Sequence, residues 1–145
     1  MKITTKCRYG TKAIIEIAKN HNVKPTTRKD IALNQNIPDS YLENILIDLK
    51  KSGIIRSIRG MKGGFVLNRP PDEITLLDIF KVLKKSITPV GCIKDPSLCC
   101  CTDFCVTRPV WIRMHAAQEE VLSSFSIQEL IKKDTGDKRH SFSYC

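Results

Sequence analysis

Apolar residues recur with the period of an α-helix at the start of the chain. Ala13, Ile14, Ile17 and Ala18 are spaced so that their side chains share one face of a helix. This pattern predicts a first helix over residues 9–20, and a proline-containing loop follows it.

Two further helices are predicted next, separated by a tight turn over residues 34–37. Thr27 and Asp30 have the spacing of a capping box, in which the hydroxyl accepts a backbone N–H at the helix start, so a short helix is expected around residues 28–35. Residues 38–53 predict a third, longer helix that ends at a glycine. Its apolar stripe is Leu42, Ile45, Leu46 and Leu49.

The third helix is followed by two short β-rich runs, at residues 54–58 and 65–68. The sequence RGMKGG lies between them, and its glycines allow the backbone conformations that a hairpin loop requires. We therefore predict a β-hairpin, with a boundary after it at Pro70 and Pro71.

A fourth helix is predicted over residues 76–85, where Thr75 and Asp78 repeat the capping-box pattern. Residues 86–107 are rich in proline, glycine and cysteine and show no apolar period. This segment is expected to be a loop that something other than a hydrophobic core holds in place. The apolar face of the fourth helix is Leu76, Ile79, Phe80 and Leu83.

A long helix is predicted to begin at Pro109, because the N–H that proline lacks would have no partner at a helix start. Ser126 and Glu129 then form a capping box for a last short helix over residues 127–133. Spacings of three and four alternate along this segment at Trp111, Met114, Gln118, Val121 and Phe125, as in the seam between two packed helices. The predicted dimerisation residues on this seam are Trp111, Met114, Val121 and Phe125.

The order of these elements is that of a winged helix-turn-helix, in which a helix pair is followed by a hairpin. The predicted fold class is mostly α with a small β-hairpin: a winged helix-turn-helix domain plus a long dimerisation helix. The composition, 41% apolar and 27% charged in 145 residues, is that of a globular protein with a core. No apolar run approaches the roughly 18 residues of a membrane span, and the amino terminus lacks a secretory apolar stretch, so a cytoplasmic protein is expected.

The net charge of +9 is confined to the first half of the chain. Residues 1–70 hold 14 basic and 5 acidic residues, whereas residues 71–145 hold 10 of each. A basic half joined to a neutral half indicates a module that binds a polyanion, and double-stranded DNA is the partner that the fold suggests. A solvated basic surface is the alternative.

The third helix would then be the recognition helix that enters the major groove. The residues predicted to reach base edges are Ser40, Tyr41, Glu43 and Asn44, and those predicted to contact phosphates include Arg28, Lys29, Lys50 and Lys62. Arg59 lies between the hairpin strands beside a glycine and is predicted to enter the minor groove.

Seven cysteines are present, and five of them lie between residues 92 and 105. The other two are Cys7 and Cys145. An odd number of cysteines in a reducing compartment argues against a disulfide framework and for metal or redox chemistry. No constellation of catalytic residues is evident, so an enzyme is not expected.

The chain resembles the Rrf2 family of winged-helix regulators, which includes the IscR, NsrR and CymR branches. The resemblance runs from residue 1 to about residue 134. It rests on KITTKCRYGTKAI, on SYLENIL in the third helix, on SIRGMKGGFVLNRPPDEIT around the hairpin, and on a cysteine loop that runs into CVTRPVW. It implies a bacterial homodimeric transcription regulator that binds near-palindromic DNA. In several branches an iron-sulfur cluster controls DNA binding, whereas others carry no cluster.

By this resemblance, Cys92, Cys99 and Cys105 would hold an iron-sulfur cluster, of two-iron or four-iron type, with Cys101 as an alternative to Cys99. Arg108 stands where IscR-type proteins have a histidine ligand, and Arg8 stands where NsrR-type proteins have an acidic one. Cys7, from the partner subunit, is therefore the candidate fourth ligand, and the alternative is that Cys7 is a small buried residue at the start of a helix.

A weaker candidate fourth ligand is His115. The alternatives are a zinc site, a cluster-free thiol sensor and, from a different class, an electron-transfer or cluster-carrier protein.

The predicted domain organisation has four segments. Residues 1–84 form the DNA-binding domain, residues 85–107 the cysteine-rich loop, residues 108–133 the dimerisation helix and the short terminal helix, and residues 134–145 a flexible tail. The loop would respond to iron, redox state or a reactive small molecule, and thereby set the spacing of the two recognition helices.

Overall fold

The computed structural model describes residues 3–84 and 86–134. Its elements in this part of the chain are six α-helices and one antiparallel hairpin, which confirms the predicted fold class. They are α1 (Thr5–Lys19), α2 (Arg28–Gln35), α3 (Asp39–Lys51), β1 (Ile55–Ile58), β2 (Gly64–Leu67), α4 (Leu76–Leu83), α5 (Arg108–Ser124) and α6 (Ile127–Lys133).

The predicted start of the first helix at residue 9 is wrong, because α1 begins at Thr5. The side chain of Thr4 accepts a hydrogen bond from the Cys7 amide and caps the helix there. Most side chains in the first turn of α1 are polar and only Cys7 continues the buried face there, so the apolar period is weak at this end. The capping threonine was the available signal.

The capping boxes of α4 and α6 are confirmed in full. Thr75 and Ser126 each accept a hydrogen bond from a backbone N–H through their hydroxyl oxygens, and the Asp78 and Glu129 carboxylates accept one from the Thr75 and Ser126 amides. At α2, Thr27 accepts from the Asp30 amide as predicted. These bonds satisfy N–H groups that have no partner within the helix, so each helix start is determined locally.

The hydrophobic core joins α1, α3 and α4 and also includes the C-terminal helix. Ile127 of α6 is fully buried beside Ile74, and its amide donates to the Ile74 carbonyl at 2.8 Å. Burying a side chain of this size stabilises the fold by about 1.5–3 kcal/mol. The chain therefore returns to the winged-helix domain after α5, and α6 is part of the same core.

The wing, formed by β1, β2 and the loop between them, is attached to the segment before α2. Ile55 pairs with Leu67 and Ile58 with Gly64 across the hairpin. Thr26 and Phe65 exchange two backbone hydrogen bonds, of 3.0 and 2.8 Å. Gly60 turns the wing tip with a φ of 111°, a conformation that disfavours other residues.

The segment between α4 and α5 contains three short 3₁₀ turns, at Gly91–Ile93, Pro96–Leu98 and Thr102–Phe104. It is the loop expected from its composition.

The predicted flexible tail beyond Asp134 lies outside the described residues. In the part of the chain that the structure describes, no helix is long and apolar enough to cross a membrane.

Candidate nucleic-acid interface and cysteine loop

The predicted base-reading residues lie together at the amino-terminal end of α3. Ser40, Tyr41, Glu43 and Asn44 are all exposed there. Asn44 Nδ2 donates to the Ser40 carbonyl at 3.3 Å, and the Tyr41 ring meets Tyr9 of α1 edge-on with the centroids 5.6 Å apart. This helix end presents hydrogen-bonding groups outward while its opposite face is anchored in the core.

A shallow groove of about 180 Å³ joins α2, α3 and the wing into one surface. It is lined by Arg28, Glu43 and Lys50 from the two helices and by Ser57 and Phe65 from the wing. The start of α2, the outer face of α3 and the wing therefore border one another. Ile47, also on this groove, is 43% exposed, a position the helical period alone does not assign to function.

The Arg28 side chain on this surface forms ion pairs with two carboxylates. Its Nε lies 3.0 Å from Asp39 Oδ1, and its Nη1 lies 3.2 Å from Glu43 Oε1. The charge pattern of the sequence predicts a phosphate contact for Arg28 and does not single out Asp39. The contact was not predictable from spacing, because it depends on the angle between α2 and α3.

The other predicted cationic residues are exposed at separate places around the groove. Lys29 is on α2, Lys50 is near the end of α3, and Arg59 and Lys62 are on the wing loop. Met61, between the last two, is fully exposed at the tip. An exposed wing tip with positive charge on each side suits contact with a nucleic-acid backbone.

One ion pair and two side-chain hydrogen bonds hold α2 and α3 against α1. Lys6 of α1 forms an ion pair with Asp48 of α3. Glu16 of α1, only 7% exposed, accepts hydrogen bonds of 2.7 Å from both Asn34 and Gln35 at the end of α2. These contacts fix the orientation of the helix pair relative to the core.

The five clustered cysteines differ in exposure. Cys92, Cys99 and Cys105 are half-buried, whereas Cys100 and Cys101 are exposed and their sulfur atoms lie 3.7 Å apart. Cys7, in contrast, is fully buried in the hydrophobic core. The structure thus places the proposed fourth ligand away from the protein surface.

Two thiols of the loop differ in acidity. Hydrogen bonding from the Thr107 hydroxyl, with help from backbone N–H groups and the Arg108 charge, lowers the pKa of Cys105. Hydrogen bonding with Cys100 and the charges of Cys99 and Cys105 raise the pKa of Cys101. Four of the loop thiols are therefore close enough to influence one another.

The chemistry of this donor set fits an iron-sulfur cluster, since such clusters require thiolates from a loop that can surround them. Within residues 3–84 and 86–134, however, no three Cys, His, Asp or Glu side chains already surround a point where a metal ion could bind. Ligation by Cys92, Cys99 and Cys105 would require the loop to close.

Arg108 and His115, which bear on the fourth-ligand question, lie on the face of α5 turned toward their own chain. Arg108 Nε and His115 Nδ1 are both buried without a hydrogen-bond partner. His115 Nε2 lies 3.9 Å from Glu119 on the same helix.

The predicted dimerisation residues do not share one face of α5. Trp111 is half-buried on the side of the helix turned toward its own chain, and Phe125, which follows the end of α5, is half-buried as well. Met114 and Val121 are 41% and 57% exposed, and they align with Val110 and Ala117 at spacings of four, three and four residues. These four residues, the α5 stripe, form an exposed apolar seam.

A family model agrees with this architecture. The Rrf2 model, described as an iron-dependent transcriptional regulator, matches residues 3–133. The chain belongs to the Rrf2 family. The predicted resemblance is thereby confirmed.

Individual Rrf2 regulators are similar over nearly the whole chain. CymR of Bacillus subtilis is 40% identical over 138 residues, which are 95% of each chain. The solved structure of CymR, the global cysteine regulator of that organism, matches with a TM-score of 0.76 over 92% of this chain and 98% of that one. The structure of T. potens IscR has a TM-score of 0.76 at 32% identity, over 92% and 88% of the two chains.

These relatives are DNA-binding transcription regulators, a class of protein that is not enzymatic. Two expectations from the sequence are thereby confirmed: regulation through DNA binding, and a function other than catalysis. The relatives also speak against the electron-transfer alternative. CymR is an HTH-type regulator, and the helix-turn-helix half of this chain carries the excess positive charge.

Proposed function

We propose that this protein is a homodimeric, sequence-specific DNA-binding regulator whose operator affinity is controlled through its cysteine loop. The observation that carries the DNA-binding part is the groove bordered by Arg28, Glu43, Lys50 and the wing. It joins hydrogen-bonding groups at the start of α3 to cations on both sides. An α-helix of this kind fits the major groove, and base edges there distinguish all four base pairs.

Positive residues supply affinity and the polar end of α3 supplies specificity. Lys29, Lys50 and Lys62 would neutralise phosphates, and each such contact makes binding salt-dependent. Arg59 at the wing would insert into a neighbouring minor groove, where the potential is most negative when the groove is narrow. Asn44 can pair with adenine, and Glu43 can accept from cytosine.

A dimer would form through the α5 stripe. Exposed apolar residues at alternating spacings of four and three are the pattern by which two helices pack along a seam. A symmetric dimer presents two recognition helices, and these match near-palindromic half-sites about 34 Å apart. Any change that rotates α5 alters that spacing and thereby the affinity for DNA.

The first candidate for control is an iron-sulfur cluster held by Cys92, Cys99 and Cys105, with Cys101 as the alternative to Cys99. The lowered pKa of Cys105 favours the thiolate that such a ligand must supply. When bound, the cluster would supply a redox-active or labile centre. The loop residues themselves lead directly into α5 at Arg108, so ordering of the loop bears on the dimer helix.

The second candidate is control by the thiols themselves. The Cys100 and Cys101 sulfur atoms lie 3.7 Å apart on the exposed side of the loop, where an oxidant can reach them. The similar structure of Staphylococcus aureus CymR has been solved in an oxidized form, which favours the same possibility.

The experiment that separates these candidates is an ultraviolet-visible spectrum of protein purified without oxygen, with iron, sulfide and zinc measured on the same sample. Matched iron and sulfide with visible absorption would establish the cluster. Colourless protein that stays colourless after reconstitution with iron and sulfide would overturn the cluster and favour the thiols, or zinc if zinc is found. Operator affinity should also be measured with the loop thiols reduced or oxidised, and with the cluster present or absent. Equal affinity in all of these states would overturn control by the loop altogether.

A further inference from the structure

The start of α3 carries two carboxylates where a DNA-binding helix would approach a polyanion. Asp39 and Glu43 lie one helical turn apart, with side chains 56% and 57% exposed. Uncompensated, they would repel the phosphates on either side of the major groove. Something must neutralise them if this helix end is to enter the groove.

Arg28 meets both carboxylates from the neighbouring helix. Its Nε contacts Asp39 and its Nη1 contacts Glu43, at 3.0 and 3.2 Å. The backbone at Arg28 is fixed, because Thr27 caps α2 one residue before it. The guanidinium therefore reaches across from a defined position, and its planar arrangement of donors suits two acceptors at once.

These ion pairs contribute little to folding stability. All three side chains are between 41% and 57% exposed, and exposed ion pairs contribute about 0–1 kcal/mol. Their effect lies instead in the direction they give to the Glu43 carboxylate. Arg28 contacts Oε1, which leaves Oε2 to accept a hydrogen bond from a base edge.

We infer that Arg28 is a positioning residue for base recognition: it neutralises Asp39 and aims Glu43 at the major groove, and it is not a phosphate contact. This inference rests on the proposed DNA-binding function. It replaces the role that the charge pattern alone gave to Arg28. It also predicts that Arg28 and Glu43 act as one unit in choosing a base pair.

The test uses duplexes of roughly 30 base pairs, about three helical turns, selected from a random library by the wild-type full-length protein. Dissociation constants for the selected duplex are measured across a series of salt concentrations. The variants are Arg28→Ala, Glu43→Gln, the double variant, and Lys29→Ala as the neighbouring cation. Arg28→Lys keeps the charge without the planar pair of donors, and thermal unfolding of each variant checks that it folds.

We expect Lys29→Ala to weaken binding and to reduce the slope of log K against log salt by about 1, as loss of a phosphate contact does. Arg28→Ala should weaken binding about tenfold, within the range for loss of a base contact, while leaving most of that slope. Its effect should be smaller in the Glu43→Gln background, where only the contact with Asp39 remains to be lost. Arg28→Ala and Glu43→Gln should relax preference at the same base pair, and Arg28→Lys should restore affinity only in part.

The inference is overturned if Arg28→Ala reduces the salt slope as Lys29→Ala does and adds independently to Glu43→Gln. It is also overturned if Arg28→Ala binds as the wild type does. If the wild-type protein enriches no sequence from the library, the proposed DNA-binding function fails with it, and that outcome is distinct from the other two.

Discussion

Gly10 of α1 lies directly against Leu83 of α4. A β-carbon at residue 10 would come within 2.0 Å of Leu83 Cδ1, and both residues are buried. The two helices approach this closely only because residue 10 has no side chain. This contact joins the first helix of the DNA-binding domain to the helix that leads into the cysteine loop.

Replacing Gly10 by Ala should therefore lower the free energy of unfolding by about 1 kcal/mol, since overpacking costs more than the gain in helix propensity. Urea unfolding measures this change. In a Leu83→Ala background the same replacement should be neutral or stabilising, because the clashing atom is absent. A higher unfolding midpoint for Gly10→Ala in the otherwise unaltered chain would contradict the close contact.

Removing the Glu16 carboxylate should loosen the end of α2. Glu16→Ala leaves the Asn34 and Gln35 amides without their acceptor, which should lower the free energy of unfolding by about 1–3 kcal/mol. Guanidinium unfolding and hydrogen exchange at the α2 amides measure the effect. The matched control is Glu73→Ala, an exposed carboxylate that should change stability by less than about 0.5 kcal/mol. Equal midpoints for the two variants would refute a bridging role for Glu16.

Placing a charge in the α5 stripe should dissociate the dimer. Val121→Asp puts a carboxylate on the exposed apolar seam, where pairing would bury it without a partner. Sedimentation velocity should then give the mass of one chain, against two for the unaltered protein. Ser123→Asp adds the same charge on an exposed position outside the stripe and should remain dimeric. A Val121→Asp variant that still sediments as a dimer would place the interface elsewhere.

In the metal-free, reduced loop, Cys105 should be alkylated at lower pH than Cys101. The lowered pKa of Cys105 makes its thiolate available at lower pH than that of Cys101, whose pKa is raised. Peptide-resolved mass spectrometry of iodoacetamide labelling across a pH series measures both. Thr107→Val removes the hydroxyl that stabilises the thiolate, so the Cys105 profile should move to higher pH, while Thr107→Ser should keep it. Coincident profiles for Cys101 and Cys105 would contradict this account.

Local chemistry made much of the fold predictable. The cap residues Thr27, Thr75 and Ser126 lie within three residues of the groups they bind, so their role follows from spacing alone. The apolar stripe of α3 is equally local, because one helix face must meet the core whatever that core contains. The late start predicted for α1 shows the limit, since in its first turn only Cys7 continues the buried face.

The α5 residues show what spacing leaves undecided. One seam was predicted through Trp111, Met114, Val121 and Phe125, yet Trp111 is half-buried, Met114 and Val121 are exposed, and Phe125 lies beyond the end of the helix. The helical period of apolar residues shows which of them lie on the same face of a helix. It does not show which neighbouring element that face contacts. Only the packing of α4 against α5 separates the half-buried side from the exposed stripe.

By itself the sequence determined the winged helix-turn-helix, the basic half and the cysteine loop, because helical period, capping and charge act over a few residues. The tertiary structure alone decided that Arg28 pairs with Asp39 and Glu43, that Cys7 lies inside the core, and that α6 completes that core. Each of these depends on the angle and distance between elements far apart in the chain. Such distances result from the packing of all side chains together, so no short stretch of sequence encodes them.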